Sequence, residues 1–122
     1  MNNSLETTPK SAPLSLRKQT IKALADQVAD HRTTWIARNQ FYYDDHYRFM
    51  RFLTPPNARI LDLGCGIGDL LGALSPRNGV GIDLSEKSIQ IATDNLPQYR
   101  FYSGDIETVS YTHLTLPTIL RV

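Results

Sequence analysis

The alternation of polar and apolar positions divides the chain into three stretches. Up to residue 15 it is polar, is punctuated by Pro9 and Pro13 and has no apolar periodicity, which predicts a flexible leader over residues 1–15. From Leu16 to Ala29 the residues Ile21, Leu24, Ala25 and Val28 recur at helical spacing and predict a short amphipathic helix. A second helix is predicted from about Thr34 to Leu53, with Ile36, Tyr43, Tyr47, Met50 and Leu53 on one face. Thr54-Pro55-Pro56 stops it, because proline cannot continue the hydrogen-bond ladder.

Beyond the prolines the period changes. Arg59–Leu63 is a short apolar run that ends in a glycine cluster, and Asp69–Leu74 reads as a helix stopped by Ser75-Pro76. Gly79–Leu84 is a second buried-strand pattern, Ser85 a helix N-cap, Glu86–Asn95 a helix, and Tyr99–Tyr102 a third strand leading into Gly104-Asp105. Strands and helices alternating at these lengths predict parallel βαβ units, an α/β class. The expected organisation is therefore N-terminal helices over 16–56 and a partial α/β domain over 57–107 with three parallel strands.

Composition narrows the function. The chain has 122 residues, 41% hydrophobic and 20% charged, which fits one globular domain. A net charge of +1 with mixed signs supplies no basic stripe for nucleic acid. No apolar run approaches the ~18 residues needed to span a bilayer and the leader lacks the apolar core of a secretory signal, so a cytoplasmic location is expected. Cys65 is the only cysteine, and His31, His46 and His113 are scattered, so no metal-ligand spacing is present.

The chemistry concentrates at Gly64, Gly66 and Gly68, placed at a strand-to-helix turn where the backbone must approach a ligand that a Cβ would strike. The following helix offers unpaired N–H groups suited to the carboxylate end of an amino-acid-like ligand. Asp83 closes the next strand about 20 residues beyond the first glycine, a position from which a carboxylate can accept both ribose hydroxyls. Its side chain is expected to face ligand rather than core. Asp62 is expected either to hold loop amides or to touch the ligand, and Asp105 either to form an Asx turn or to contact the ligand as well. A nicotinamide or flavin dinucleotide domain would require Gly-x-Gly-x-x-Gly, and Asp69 stands where its third glycine belongs. A non-catalytic cofactor-binding module is the other alternative.

Asp62-Leu-Gly-Cys-Gly-Ile-Gly resembles the first motif of class I S-adenosylmethionine-dependent methyltransferases, Gly81-Ile-Asp-Leu-Ser the second and Ser103-Gly-Asp-Ile the third. The resemblance implies a truncated Rossmann-like methyltransferase fold, S-adenosylmethionine as cofactor and a small-molecule methyl acceptor, within EC class 2.1.1. It implies that Asp62 and the Gly64–Gly68 backbone, with Cys65 as a small filler, hold the methionine moiety. Asp83 would accept the ribose hydroxyls, Leu84 would pack on the adenine face, and Asp105 and the N–H of Ile106 would read the adenine edge. Tyr42 and Tyr43 lie where helices before the first motif often reach the cofactor, with plain helix packing as the alternative. In this family the acceptor site and any general base usually follow the third strand, so no catalytic residue is assigned and the chain alone is expected to be inactive in transfer.

Residues 109–122, VSYTHLTLPTILRV, resemble a translated transposon-type sequencing adapter, one frame of which encodes Val109 to Thr118 and closes on Val122 and a stop. The segment from 108 onward is therefore expected to be non-native, against the alternative of a threonine-rich edge strand. Sequencing of the source locus should then depart from this chain at or just before Val109. The same residues encoded in genomic DNA would refute the adapter origin.

Overall fold

The computed structural model describes residues 13–108 and the backbone of 118–121. Most of the expected leader and most of the expected tail lie outside those residues. Helix α1 (Leu16–Val28) starts at Ser15, whose Oγ accepts from the Lys18 N–H at 3.2 Å. A 3-10 turn, Ala29–His31, leads into α2 (Arg32–Arg38) and α3 (Gln40–Leu53). The single helix expected over 34–53 is thus two, parted at Asn39, whose φ of −113° and ψ of 34° leave the helical region. Its amide side chain donates to the Trp35 carbonyl at 2.8 Å, the local competition with the helical ladder that asparagine offers.

The core is a parallel sheet in the order β3-β2-β1-β4, from β1 (Arg59–Leu63), β2 (Asn78–Asp83), β3 (Arg100–Ser103) and β4 (Thr118–Arg121). Helix α4 (Asp69–Leu74) joins β1 to β2, and α5 (Glu86–Asn95) joins β2 to β3. The three expected strands are present, and a fourth pairs with β1, Ile60 opposite Thr118 through Leu63 opposite Arg121. An open strand edge carries unpaired N–H and C=O groups that an extended, β-branched segment satisfies.

Alternation along the strands sends side chains to two cores. Ile60, Cys65, Leu71, Ile89, Ala92, Tyr99 and Phe101 pack on the side of α4 and α5, and Leu61, Ile82 and Tyr102 on the other. Two β2 glycines make room on the first side. A Cβ on Gly81 would stand 2.6 Å from Phe101 Cδ1 and 2.8 Å from Cys65 Sγ, and one on Gly79 would stand 3.1 Å from both Leu71 and Tyr99. The glycine surface lets β3's aromatic ring and the Cys65 turn lie flat against the strand.

Helix α1 departs from the amphipathic expectation. It has no buried residue, and Ile21, Leu24 and Val28 are 48%, 57% and 53% exposed. The stripe that docks is polar: Lys18, Lys22 and Asp26, spaced by four, reach the loop after β3 and the start of α5. Acidic side chains and free N–H groups gather there, so complementary charge rather than apolar burial orients the helix. Among the described residues, no helix is long and apolar enough to cross a membrane.

Gly81→Ala is expected to lower stability by about 1–3 kcal/mol, the cost of overpacking where Phe101 and Cys65 cannot both withdraw. Urea unfolding of the two proteins checks this, and an unchanged midpoint would contradict the packing described.

Candidate cofactor site

The site lies at the carboxyl ends of β1 and β2, where an open parallel sheet places its ligand crevice. The turn after β1 needs glycine three times: Gly64, Gly66 and Gly68 have φ of 80°, 56° and 84°. Gly64 N–H and Cys65 N–H donate to the Ile82 carbonyl at 2.7 and 3.1 Å, which staples the turn to β2. The glycines differ in what lies behind them. A Cβ at Gly68 would meet Leu96 at 3.0 Å and Phe101 at 3.1 Å, whereas one at Gly66 would meet nothing within 4 Å. Gly68 therefore serves packing, and Gly66 opens a cradle on the ligand side.

Asp83 holds that cradle. Its Oδ2 accepts from Gly66 N–H at 2.9 Å and its Oδ1 from Ser85 N–H at 2.9 Å. Each carboxylate oxygen keeps a further lone pair, so acceptance of hydroxyls remains open. The side chain is also the tie between the two strand ends, a role the sequence reading did not assign to it.

Asp62, on β1 opposite Gly81, is fully buried, and neither carboxylate oxygen has a hydrogen-bond partner. It does not hold loop amides. Burial, with the Asp69 and Asp83 charges behind it, pushes its carboxyl up to about 7. It forms part of the wall of a cavity of about 210 Å³ shared with Gly64, Cys65, Gly66, Asp69 and Leu70, and closed from the helical side by Arg32, Tyr42, Tyr43 and His46. Tyr42 and Tyr43 thus reach the site. Tyr47, fully inside, donates to Asp69 Oδ2 at 2.7 Å, and burial with that partner raises its hydroxyl pKa. The start of α4, expected to suit a ligand carboxylate, carries Asp69's own carboxylate, which opposes an anion there. Burial, then the Asp62 charge, pushes the Cys65 thiol up, so the residue is a filler and no nucleophile.

At the other end of the crevice, Asp105 Oδ1 accepts from Glu107 N–H at 3.1 Å, the Asx turn weighed from sequence. Its Oδ2 accepts from Lys18 Nζ at 2.8 Å, and that cation holds the carboxyl below its usual range. Lys18 also reaches Glu107 at 2.9 Å. Ser85 caps α5 through Ser88 N–H at 3.1 Å and donates to Asp26 Oδ1 at 2.5 Å. Leu84 is half-buried just past β2, and Ile106 packs beside Leu61, Ile82 and Tyr102. Sequence reading did not single out Lys18, Asp26, Arg32 or His46, because residues so far from the glycine turn carry no spacing signal towards it. A larger cavity of about 560 Å³ lies at the amino ends of the strands, between Arg51, Ile60 and Arg77, away from the carboxylates and the glycine turn. Among the described residues, no group of three His, Cys, Asp or Glu side chains could hold a metal ion.

A glycine turn over a parallel sheet, tied to an acidic strand end, defines a Rossmann-like cofactor-binding α/β protein. The model of the methyltransferase domain family matches residues 60–120, half of the chain and part of the adapter-like stretch, and the chain belongs to that family. It is 43% identical over 58 residues to a trans-aconitate 2-methyltransferase of Variovorax paradoxus, covering 44% of this chain and 22% of that protein. Among solved structures it is similar to a TehB-like SAM-dependent methyltransferase from Corynebacterium glutamicum, with a TM-score of 0.59 and 25% identity over 76% of this chain and 55% of that one. The fold also matches a Haemonchus contortus phosphoethanolamine N-methyltransferase holding phosphoethanolamine and S-adenosylhomocysteine, with a TM-score of 0.61 and 18% identity over 77% of this chain and 22% of that one. The chain thus spans about half the length of the first structural relative and a smaller share of the others.

The raised Asp62 carboxyl makes stability depend on pH. Its folded value of about 7 lies above the ordinary 3.8, so the folded chain binds the extra proton between those values and stability falls as pH rises through that window. Asp62→Asn removes the penalty. The variant should gain about 2–3 kcal/mol over wild type between about pH 5 and about pH 8, as read by denaturant unfolding. An equal difference at both pH values would contradict the placement of an unpartnered carboxylate there.

Proposed function

We propose that the crevice binds S-adenosylmethionine and that the longer protein to which this chain belongs transfers its methyl group to a small-molecule acceptor in the cytoplasm, the chain alone being inactive in transfer. The observation that carries the reading is the Asp83 carboxylate bridging the β2 end to Gly66 N–H, beside the open face of Gly66 and the buried, unpartnered Asp62. One carboxylate then serves the ribose and the glycine cradle together. Asp62 and the Gly64–Gly68 backbone hold the methionine end, Leu84 lies on the adenine face, and Asp105 with the Ile106 N–H reads the adenine edge. When bound, the group supplies an electrophilic methyl on a sulfonium. The protein's part is to fix that end against the glycine backbone and to exclude water, so that rate comes from proximity and orientation. Asp69 supports this reading over a dinucleotide, since its carboxylate stands at the helix start where a pyrophosphate would sit.

Asp83→Ala should weaken S-adenosylmethionine binding by roughly tenfold to a hundredfold, the loss of charge-assisted hydrogen bonds in a partly dry crevice. It should also destabilise the chain by about 1–3 kcal/mol, because Gly66 and Ser85 lose their acceptor. Calorimetric titration with S-adenosylmethionine and, separately, a nicotinamide dinucleotide checks the reading. Selective dinucleotide binding by wild type would overturn it.

A further inference from the structure

We propose that the outer face of α3 is a two-fold dimer interface, on which α3 of a second copy of this chain packs antiparallel. The helix has two apolar faces. One turns to the fold through Tyr43, Tyr47 and Met50, of which Tyr47 is buried and the other two half-buried. The other turns away from it: Phe41, Phe49 and Phe52 are 90%, 57% and 83% exposed. A surface helix normally sets polar residues opposite its packed face, so three phenylalanines there make a surface suited to being covered. With the exposed Tyr42 and Leu53 beside them, they offer about 600 Å² per copy, or about 1,200 Å² in a pair, the lower end of specific interfaces.

The order of residues along that face says what covers it. Phe41, Asp45, Arg48 and Phe52 follow one another at steps of four, three and four, which sets them in one row along the helix. Asp45 and Arg48 are both exposed in the middle of the row, an Arg48 guanidinium nitrogen 3.4 Å from Asp45 Oδ1. From either end the row runs ring, charge, charge, ring, and reversal exchanges the signs of the two charges. A copy laid antiparallel about a two-fold axis therefore sets Phe41 against Phe52 and Asp45 against Arg48, each contact occurring twice. On one flank the same register sets Tyr42 against Phe49. Laid parallel, the row would set Asp45 on Asp45 and Arg48 on Arg48, and like charges reject that arrangement. The rings supply the attraction and the charges fix its direction.

Sedimentation equilibrium of the full chain tests the proposal. Wild type should show a reversible monomer–dimer equilibrium at micromolar concentration. Asp45→Arg and Arg48→Asp should each weaken association by about tenfold or more, since each brings like charges face to face. Mixed one to one, the two variants should dimerise with each other as tightly as wild type, because every like pair becomes an opposite one. Each of them lacks the ion pair within the helix, so the recovery arises only between copies. The double variant Asp45→Arg/Arg48→Asp should dimerise on its own, and with both sites exposed the circular dichroism of all these proteins should agree. A wild type that stays monomeric, single variants that associate as wild type does, or a mixture that stays monomeric would each overturn the proposal. So would open-ended association beyond the dimer that neither substitution changes, which is unspecific collapse of the apolar face. If a longer protein carrying the rest of the domain is monomeric while this chain dimerises, the rest of that protein covers the face, and the second copy is not its partner.

Discussion

The site depends on one carboxylate that serves two strand ends. Asp83 accepts from Gly66 in the turn after β1 and from Ser85 at the start of α5, so the crevice floor is tied across the sheet by a side chain and not by the sheet ladder alone. Without it the glycine turn, whose three positive φ values give it freedom that bulkier residues lack, would have no fixed relation to β2 beyond the two bonds to Ile82. The same geometry explains why Ser85 is fully buried: its N–H serves Asp83, its hydroxyl caps α5, and Asp26 closes the group from above.

Around that tie the structure gathers negative charge. Asp62, Asp69 and Asp83 stand near one turn, and only Asp69 and Asp83 have hydrogen-bond donors among the described residues. A buried carboxylate without a partner costs stability, and its persistence at a ligand cavity is the pattern of a site kept ready for a cation. The helical layer completes the arrangement through polar contacts. Helix α1 lies over the crevice by Lys18 on Asp105 and Asp26 on Ser85, with its apolar face outward. Its contacts are part-buried polar ones with little apolar burial beside them.

The βαβ body was legible in the sequence because its signals are local. Glycine and proline mark the turns, Ser85 marks a helix start, and apolar runs of strand length fix β1, α4 and α5 to the residue. The strands β2 and β3 shifted by one residue at their ends, where pairing rather than pattern sets the boundary. The helical layer was less legible. Ile21, Leu24 and Val28 make a good apolar stripe, yet the helix docks on its charged side, because its binding surface is the polar rim of a crevice that the local pattern does not encode. Of the cavity wall made by Arg32, Tyr42, Tyr43 and His46, only the two tyrosines were expected, and those from the resemblance; Arg32 and His46 carry no local pattern that points to a loop far along the chain.

The central claim is that the carboxylate floor of this crevice receives the cationic end of S-adenosylmethionine. The most direct measurement is the proton exchanged on binding, from calorimetric titrations near neutral pH in two buffers of different ionisation enthalpy. Asp62 is held up to about 7 when no cation is near, so an arriving positive charge favours its ionised form and a proton leaves with binding. The account predicts proton release in wild type that is lost in Asp62→Asn. Release of equal size in both proteins, or none in wild type, would contradict it.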